Sequence, residues 1–125
     1  MGNEIILIRH GKTAGNLRGA YIGRTDESLC PEGRALLLAR KEAGEYPPAD
    51  RVFTSPLLRC RETAELLYPL EAAIREGLRE MDFGEFEGKR YAVLNGKPDY
   101  QRWIDLEGTI PFPRGEDPMA FRQRS

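Results

Sequence analysis

Four consecutive aliphatic residues, Ile5-Ile6-Leu7-Ile8, follow Glu4 and run directly into Arg9-His10-Gly11. An apolar run of strand length without polar alternation suits a central strand covered on both faces, so the first predicted strand is Glu4 to Arg9. From His10 to Leu29 the chain places Gly11, Gly15, Gly19 and Gly23 among polar residues, too long a stretch for a simple connection and therefore a predicted functional loop. Pro31 suits the first position of a helix. Leu36-Leu37-Leu38 with Ala35 and Ala39 supply its apolar face, and Gly44 and Pro47-Pro48 stop it. Arg51 to Thr54 reads as a second strand. Ser55-Pro56 then starts a helix to Tyr68, with the serine hydroxyl available to cap amides. On that helix Arg59 and Thr63 share a face one turn apart, while Ala64 and Leu67 turn toward the sheet. Ala72 to Arg75 reads as a third strand. Alternating strands and helices imply an α/β sheet with parallel members. Beyond Glu80 the periodicity weakens: Met81 to Gly88 mixes acidic, aromatic and glycine residues, Tyr100 to Leu106 reads as a short helix, and Arg114 to Pro118 as the start of another. There is no repeat, low-complexity tract or linker, and one domain over residues 1–125 is expected.

The chain has 125 residues, 40% hydrophobic and 31% charged, with 19 basic against 20 acidic side chains and a net charge of -1. That balance gives no general attraction to nucleic acid or an anionic membrane, so any affinity for phosphate must be local. Cys30 and Cys60 are too few for a disulfide framework and have no histidine partners for zinc, which fits free thiols in a reducing cytoplasm. The four-residue apolar run is far below the length of a signal or membrane-spanning segment, and a soluble, unprocessed chain is expected.

His10 is the only histidine. At the carboxyl end of a strand it can face a crevice, beside a guanidinium that offers a planar fork to phosphate oxygens. Gly11-Lys12-Thr13 also ends like a nucleotide-binding P-loop, but the glycine required five positions earlier is replaced by Ile6. Gly84 to Lys89 is one residue short of that motif and is followed by Arg90. Cys60 has Arg59 and Arg61 as neighbours, which can lower a thiol pKa, although a small buried filler is the simpler reading. Glu80 stands among Glu76, Asp82, Glu85 and Glu87, so an exposed acidic loop competes with a catalytic role. Asn16 can serve a ligand or bond its own backbone. Lys12, Arg18 and Arg24 are loop cations that either meet a second anionic group or are simply solvated.

Arg9-His10-Gly11, Asn16, the run Ser55 to Ala64 and the run Leu78 to Gly88, in that order, closely resemble the histidine phosphatase superfamily. The resemblance extends from Ile5 to about Arg122, and its third motif looks most like the small phosphatases akin to α-ribazole phosphatase. It implies a three-layer α/β/α fold with a mostly parallel sheet, of the phosphoglycerate mutase-like type. It also implies a phosphomonoester hydrolase in which His10 takes up the phosphoryl group as a phosphohistidine. By position, Arg9, Asn16 and Arg59 would bind substrate, and Glu80 would give a proton to the leaving oxygen. No metal or cofactor is required by that scheme, and the partner is a small phosphorylated metabolite. The family places a second histidine at the end of a later strand, yet no histidine follows His10 here. A C-terminally incomplete chain of low activity is therefore expected, with an open slot in its sheet that invites self-association. Two alternatives share the same residues: a phosphoglycerate mutase-type transfer, and a phosphate-binding module or fragment without turnover.

Overall fold

A computed structural model describes residues 4–94, 96–106 and 110–125. The helix expected at Pro31 forms as α2, Pro31–Glu42, after a single short turn α1, Ala14–Leu17. Pro31 takes the first helical position, and the Cys30 sulfur accepts from the Gly33 amide at 3.4 Å. The expected leucine face is narrower than predicted. Only Leu37 is buried, while Leu36 and Leu38 are exposed, because successive helical residues point about 100° apart and one of three can face inward. Gly33 lets α2 lie directly on the segment that carries His10: a Cβ there would stand 2.2 Å from the Lys12 carbonyl oxygen and 2.9 Å from its nitrogen. Gly33→Ala should therefore cost about 1–3 kcal/mol through overpacking against backbone, which outweighs a helix-propensity gain of about 0.5–1 kcal/mol. A lower urea midpoint at unchanged slope is the expected reading.

β1, Phe53–Thr54, pairs in parallel with β2, Ala73–Ile74, in the register Phe53 to Ala73 and Thr54 to Ile74. α3, Leu58–Leu67, crosses between them and packs against α2 and β1. Parallel strands joined by a helix are the unit that the alternating pattern predicted. The start of α3 differs from expectation. Of the amides at the start of α3, Ser55 Oγ meets that of Leu57, at 3.3 Å, and the Leu58 amide is met by Asp26 Oδ1 at 2.7 Å from the loop before α2. An acceptor from a distant loop thus does part of the capping work assigned to the local serine.

The predicted strand Glu4 to Arg9 is not in a ladder, which corrects the expectation of a covered central strand. Ile5 and Leu7 are 88% and 91% exposed, and Ile6 and Ile8 are 38% and 36% exposed. The period of two is that of extended backbone, but a strand needs a neighbour to pair with, and the described residues supply none. A cleft of about 1010 Å³ separates this segment from residues 48–55.

After β2 come two 3-10 turns, Glu76–Leu78 and Gly84–Phe86, then α4, Tyr91–Leu94, α5, Pro98–Asp105, and α6, Pro118–Arg124. Among the described residues the core has two parts. Leu29, Leu37, Leu67 and Tyr68 form one, between α2 and α3. Phe86, Leu94, Tyr100 and Phe112 form the other, joined by Tyr21, Met81, Phe83 and Trp103. Its rings meet edge-to-face, tilted or stacked, as with Phe86 and Phe112 at 5.5 Å and Trp103 and Phe112 at 4.9 Å between centroids. This aromatic core lies where the hydrophobic periodicity was weakest, because its members are scattered over loops, one 3-10 turn and two short helices. Among the described residues no helix is long and apolar enough to cross a membrane.

Candidate active site

His10 leaves the unpaired N-terminal segment half-buried and lines the large cleft together with Cys60. Its Nδ1 lies 2.6 Å from the Gly11 carbonyl oxygen. A carbonyl only accepts, so Nδ1 carries the proton and Nε2 keeps the free lone pair. Burial pushes the imidazole below its usual pKa, and the charges of Arg59 and Arg9 act in the same sense. The Gly11 hydrogen bond and the Glu80 carboxylate oppose them without reversing the direction. The neutral, nucleophilic form is thereby favoured near neutrality.

The backbone beside His10 is tied to α3. The Gly11 amide donates to Thr63 Oγ1 at 3.0 Å, and Thr63 in turn donates to the Arg59 carbonyl at 2.7 Å. The shared face predicted for Arg59 and Thr63 is thus real, and it is the face that holds the histidine turn. Arg59 is 1% exposed. Its guanidinium donates to the Thr25 carbonyl at 2.8 Å and to the Gly23 carbonyl at 2.7 Å. The Nε is buried and has no hydrogen-bond partner. On its other side the same loop is held by Glu87, whose carboxylate accepts from the amides of Gly23, Thr25 and Phe83 and from the Thr25 hydroxyl. The loop is therefore clamped between a carboxylate that takes its N–H groups and a guanidinium that takes its carbonyls. A buried arginine held so rigidly loses little freedom when it meets an anion.

Of the remaining sequence candidates, Arg9 and Glu80 lie within electrostatic reach of His10, and Asn16 makes local contacts at α1. Arg9 and Glu80 are exposed. Glu80 Oε1 accepts from the neighbouring Met81 amide at 2.8 Å. Asn16 forms a capping box at α1: its Oδ1 accepts from the Thr13 amide at 3.0 Å, while its own amide donates to Thr13 Oγ1 at 3.2 Å. Both local bonding and a free amide group are thus available to Asn16. Burial raises the Cys60 thiol above its usual pKa despite Arg59 nearby, which opposes an activated thiol, while its half-buried place on the cleft wall corrects the expectation of a fully buried filler. Cys30 and Cys60 are free thiols. Glu87, Thr25 and Asp26 were not singled out from sequence, since a polar loop and one more glutamate in an acidic segment carry no local signal. Among the described residues no three His, Cys, Asp or Glu side chains stand together as metal ligands.

Residues 5–125 match the family described as histidine phosphatase superfamily (branch 1). The chain belongs to that superfamily. It is similar to the adenosylcobalamin/α-ribazole phosphatase of Salmonella typhimurium, 32% identical over 124 residues, which cover 94% of this chain and 61% of that protein. Among solved structures it resembles the α-ribazole phosphatase from Shigella flexneri, with a TM-score of 0.79 at 30% identity over 94% of this chain and 60% of the other. It also resembles phosphoglycerate mutase from Thermus thermophilus, with a TM-score of 0.74 at 34% identity over 93% of this chain and 64% of the other. These likenesses establish the superfamily's α/β fold, with its parallel strands and covering helices. The chain spans about three-fifths of the length of these relatives.

Proposed function

We propose that this superfamily chain binds a small phosphorylated metabolite and hydrolyses its phosphomonoester through His10. The observation that carries the reading is the buried, unpartnered Nε of Arg59 on the helix that also anchors the turn after His10. A buried donor without an acceptor is costly, and an anion seated against it removes that cost. In the first step His10 Nε2 attacks phosphorus, the N–P bond forms, and the P–O bond to the alcohol breaks as Glu80 gives its proton to the departing oxygen. In the second, water attacks phosphorus, Glu80 takes its proton, and the N–P bond breaks to release inorganic phosphate. Arg9, Arg59 and the Asn16 amide stabilise the charge spread over the equatorial oxygens. The phosphatases among its relatives support hydrolysis over transfer to a second substrate alcohol.

The test uses the fact that His10 is the only imidazole in the chain, so its ring proton resonance needs no assignment. Its titration midpoint should lie below about 6.5, the ordinary histidine value. Adding inorganic phosphate should raise it, because a bound dianion favours the imidazolium form. A midpoint indifferent to phosphate rejects the anion pocket. Phosphate release from a monoester, with no isomerisation of phosphoglycerate, then separates hydrolysis from mutase chemistry.

The two free thiols support a cytoplasmic setting, and a sequence without a linker-like or low-complexity tract supports residues 1–125 as part of one domain. The unpaired run Ile5 to Ile8 supports self-association, since exposed strand backbone beside an open cleft can accept a strand from another molecule. A molar mass by light scattering that rises with concentration is the corresponding reading.

A further inference from the structure

The Glu80 side chain is exposed and bonds only the next amide, yet its backbone is held from two remote parts of the chain. Its carbonyl accepts from Arg24 Nε at 3.1 Å and from an Arg124 amino group at 3.2 Å. Arg124 also donates to the Gly77 carbonyl at 3.0 Å, three residues upstream. The same guanidinium meets both oxygens of Glu116, at 2.6 and 3.0 Å. Glu116 closes the ring: its carboxylate accepts from the Asp82 amide at 3.1 Å, and its own amide donates to the Asp82 carbonyl at 2.9 Å. The segment from Gly77 to Asp82 is therefore gripped on both sides of Glu80 by one bidentate ion pair.

Two further features show that the grip is built in. Gly84, at φ +55°, packs so closely on the 113–115 turn that a Cβ would stand 2.2 Å from the Pro113 carbonyl. The Arg124 hydrogen bond holds the Glu116 carboxyl below its usual pKa against the effect of burial, with the Asp82 amide and Arg24 helping. A planar fork with five donors can span two carbonyls and a carboxylate at once, which a lysine at 124 could not do.

We propose that Glu116 and Arg124 are positioning residues that set the Glu80 loop, and with it the direction from which the proton reaches the leaving oxygen. The proposal rests on the reading of Glu80 as proton donor. A misplaced acid slows esters whose alcohol needs a proton to depart, and spares esters whose leaving group departs as a stable anion.

The test compares kcat/KM for phosphoserine and for p-nitrophenyl phosphate, which covers the steps up to phosphohistidine formation, in the full chain. Glu116→Gln and Arg124→Gln should lower the value for phosphoserine about tenfold or more and that for p-nitrophenyl phosphate less than about twofold. Arg24→Gln, which removes a contact to the Glu80 carbonyl and a 3.8 Å ion pair with Glu116 while leaving the Arg124–Glu116 pair in place, should show the same split in smaller measure. Equal loss on both esters, or none, overturns the brace. Glu80→Gln serves as the reference: if it shows no split, or if the unmodified chain turns over neither ester, the proton-donor reading itself fails. A split in Glu80→Gln with none at 116 and 124 defeats the positioning role alone.

Discussion

Replacing His10 by Ala should abolish the acid-labile phosphate that the chain takes up from a labelled phosphomonoester, and should lower phosphate release by about a thousandfold or more. The imidazole is the nucleophile of the proposed reaction, and the chain contains no second histidine to substitute for it. Its surroundings make the effect specific. Nδ1 is committed to the Gly11 carbonyl, so the attacking nitrogen is Nε2, and the label should be an Nε2 phosphoramidate that is lost in acid and survives base. The fold should be nearly indifferent, because the ring is half-buried and bonds only the adjacent carbonyl. Labelling that persists in the variant removes His10 as nucleophile.

Arg59→Met should show the second large effect, on stability and on the anion pocket together. Loss of the guanidinium strands the Gly23 and Thr25 carbonyls, and each buried unsatisfied acceptor costs about 1–3 kcal/mol. Met fills much of the volume, so the cost is electrostatic more than steric. A fall of about 2–5 kcal/mol in unfolding free energy is expected from urea melts. The sign on His10 is also set. Arg59 lowers the imidazole pKa, so its removal should raise the titration midpoint, while the upward response to added phosphate should disappear. Arg59→Lys should recover only part of either effect, because an ammonium cannot reach two carbonyls in the fixed geometry of a fork. A variant as stable as the parent, still responsive to phosphate, defeats the role assigned to residue 59.

Much of the layout was legible because local chemistry and tertiary need agreed. Pro31 begins a helix for reasons held within its own backbone, and so α2 lies where the pattern placed it. The parallel pairing of residues 53–54 with 73–74 follows from an intervening amphipathic helix. His10, Arg9 and Arg59 could be nominated as a group from the motifs, and the structure places both arginines near enough to act on the His10 charge. Elsewhere the local signal pointed wrong or was silent. Ile5 to Ile8 has the composition of a buried strand, and yet burial belongs to neighbours that the run cannot specify. Leu36 and Leu38 look like core residues, but the helix turns them outward once Leu37 and Gly33 face the His10 segment.

Residue order alone was enough to establish the α/β alternation and the superfamily likeness, and to nominate the side chains proposed to meet a phosphoryl group. The alternation depends on spacing over a few turns, and the likeness on short motifs spread from Arg9 to Gly88. Folding had to supply the clamp of Glu87 and Arg59 on the 23–25 loop, Asp26 at the start of α3, and the hold of Arg124, backed by Glu116, on the Glu80 carbonyl. Each joins groups about thirty to more than sixty positions apart through hydrogen bonds that work only within about 3 Å, a constraint with no local trace in the chain.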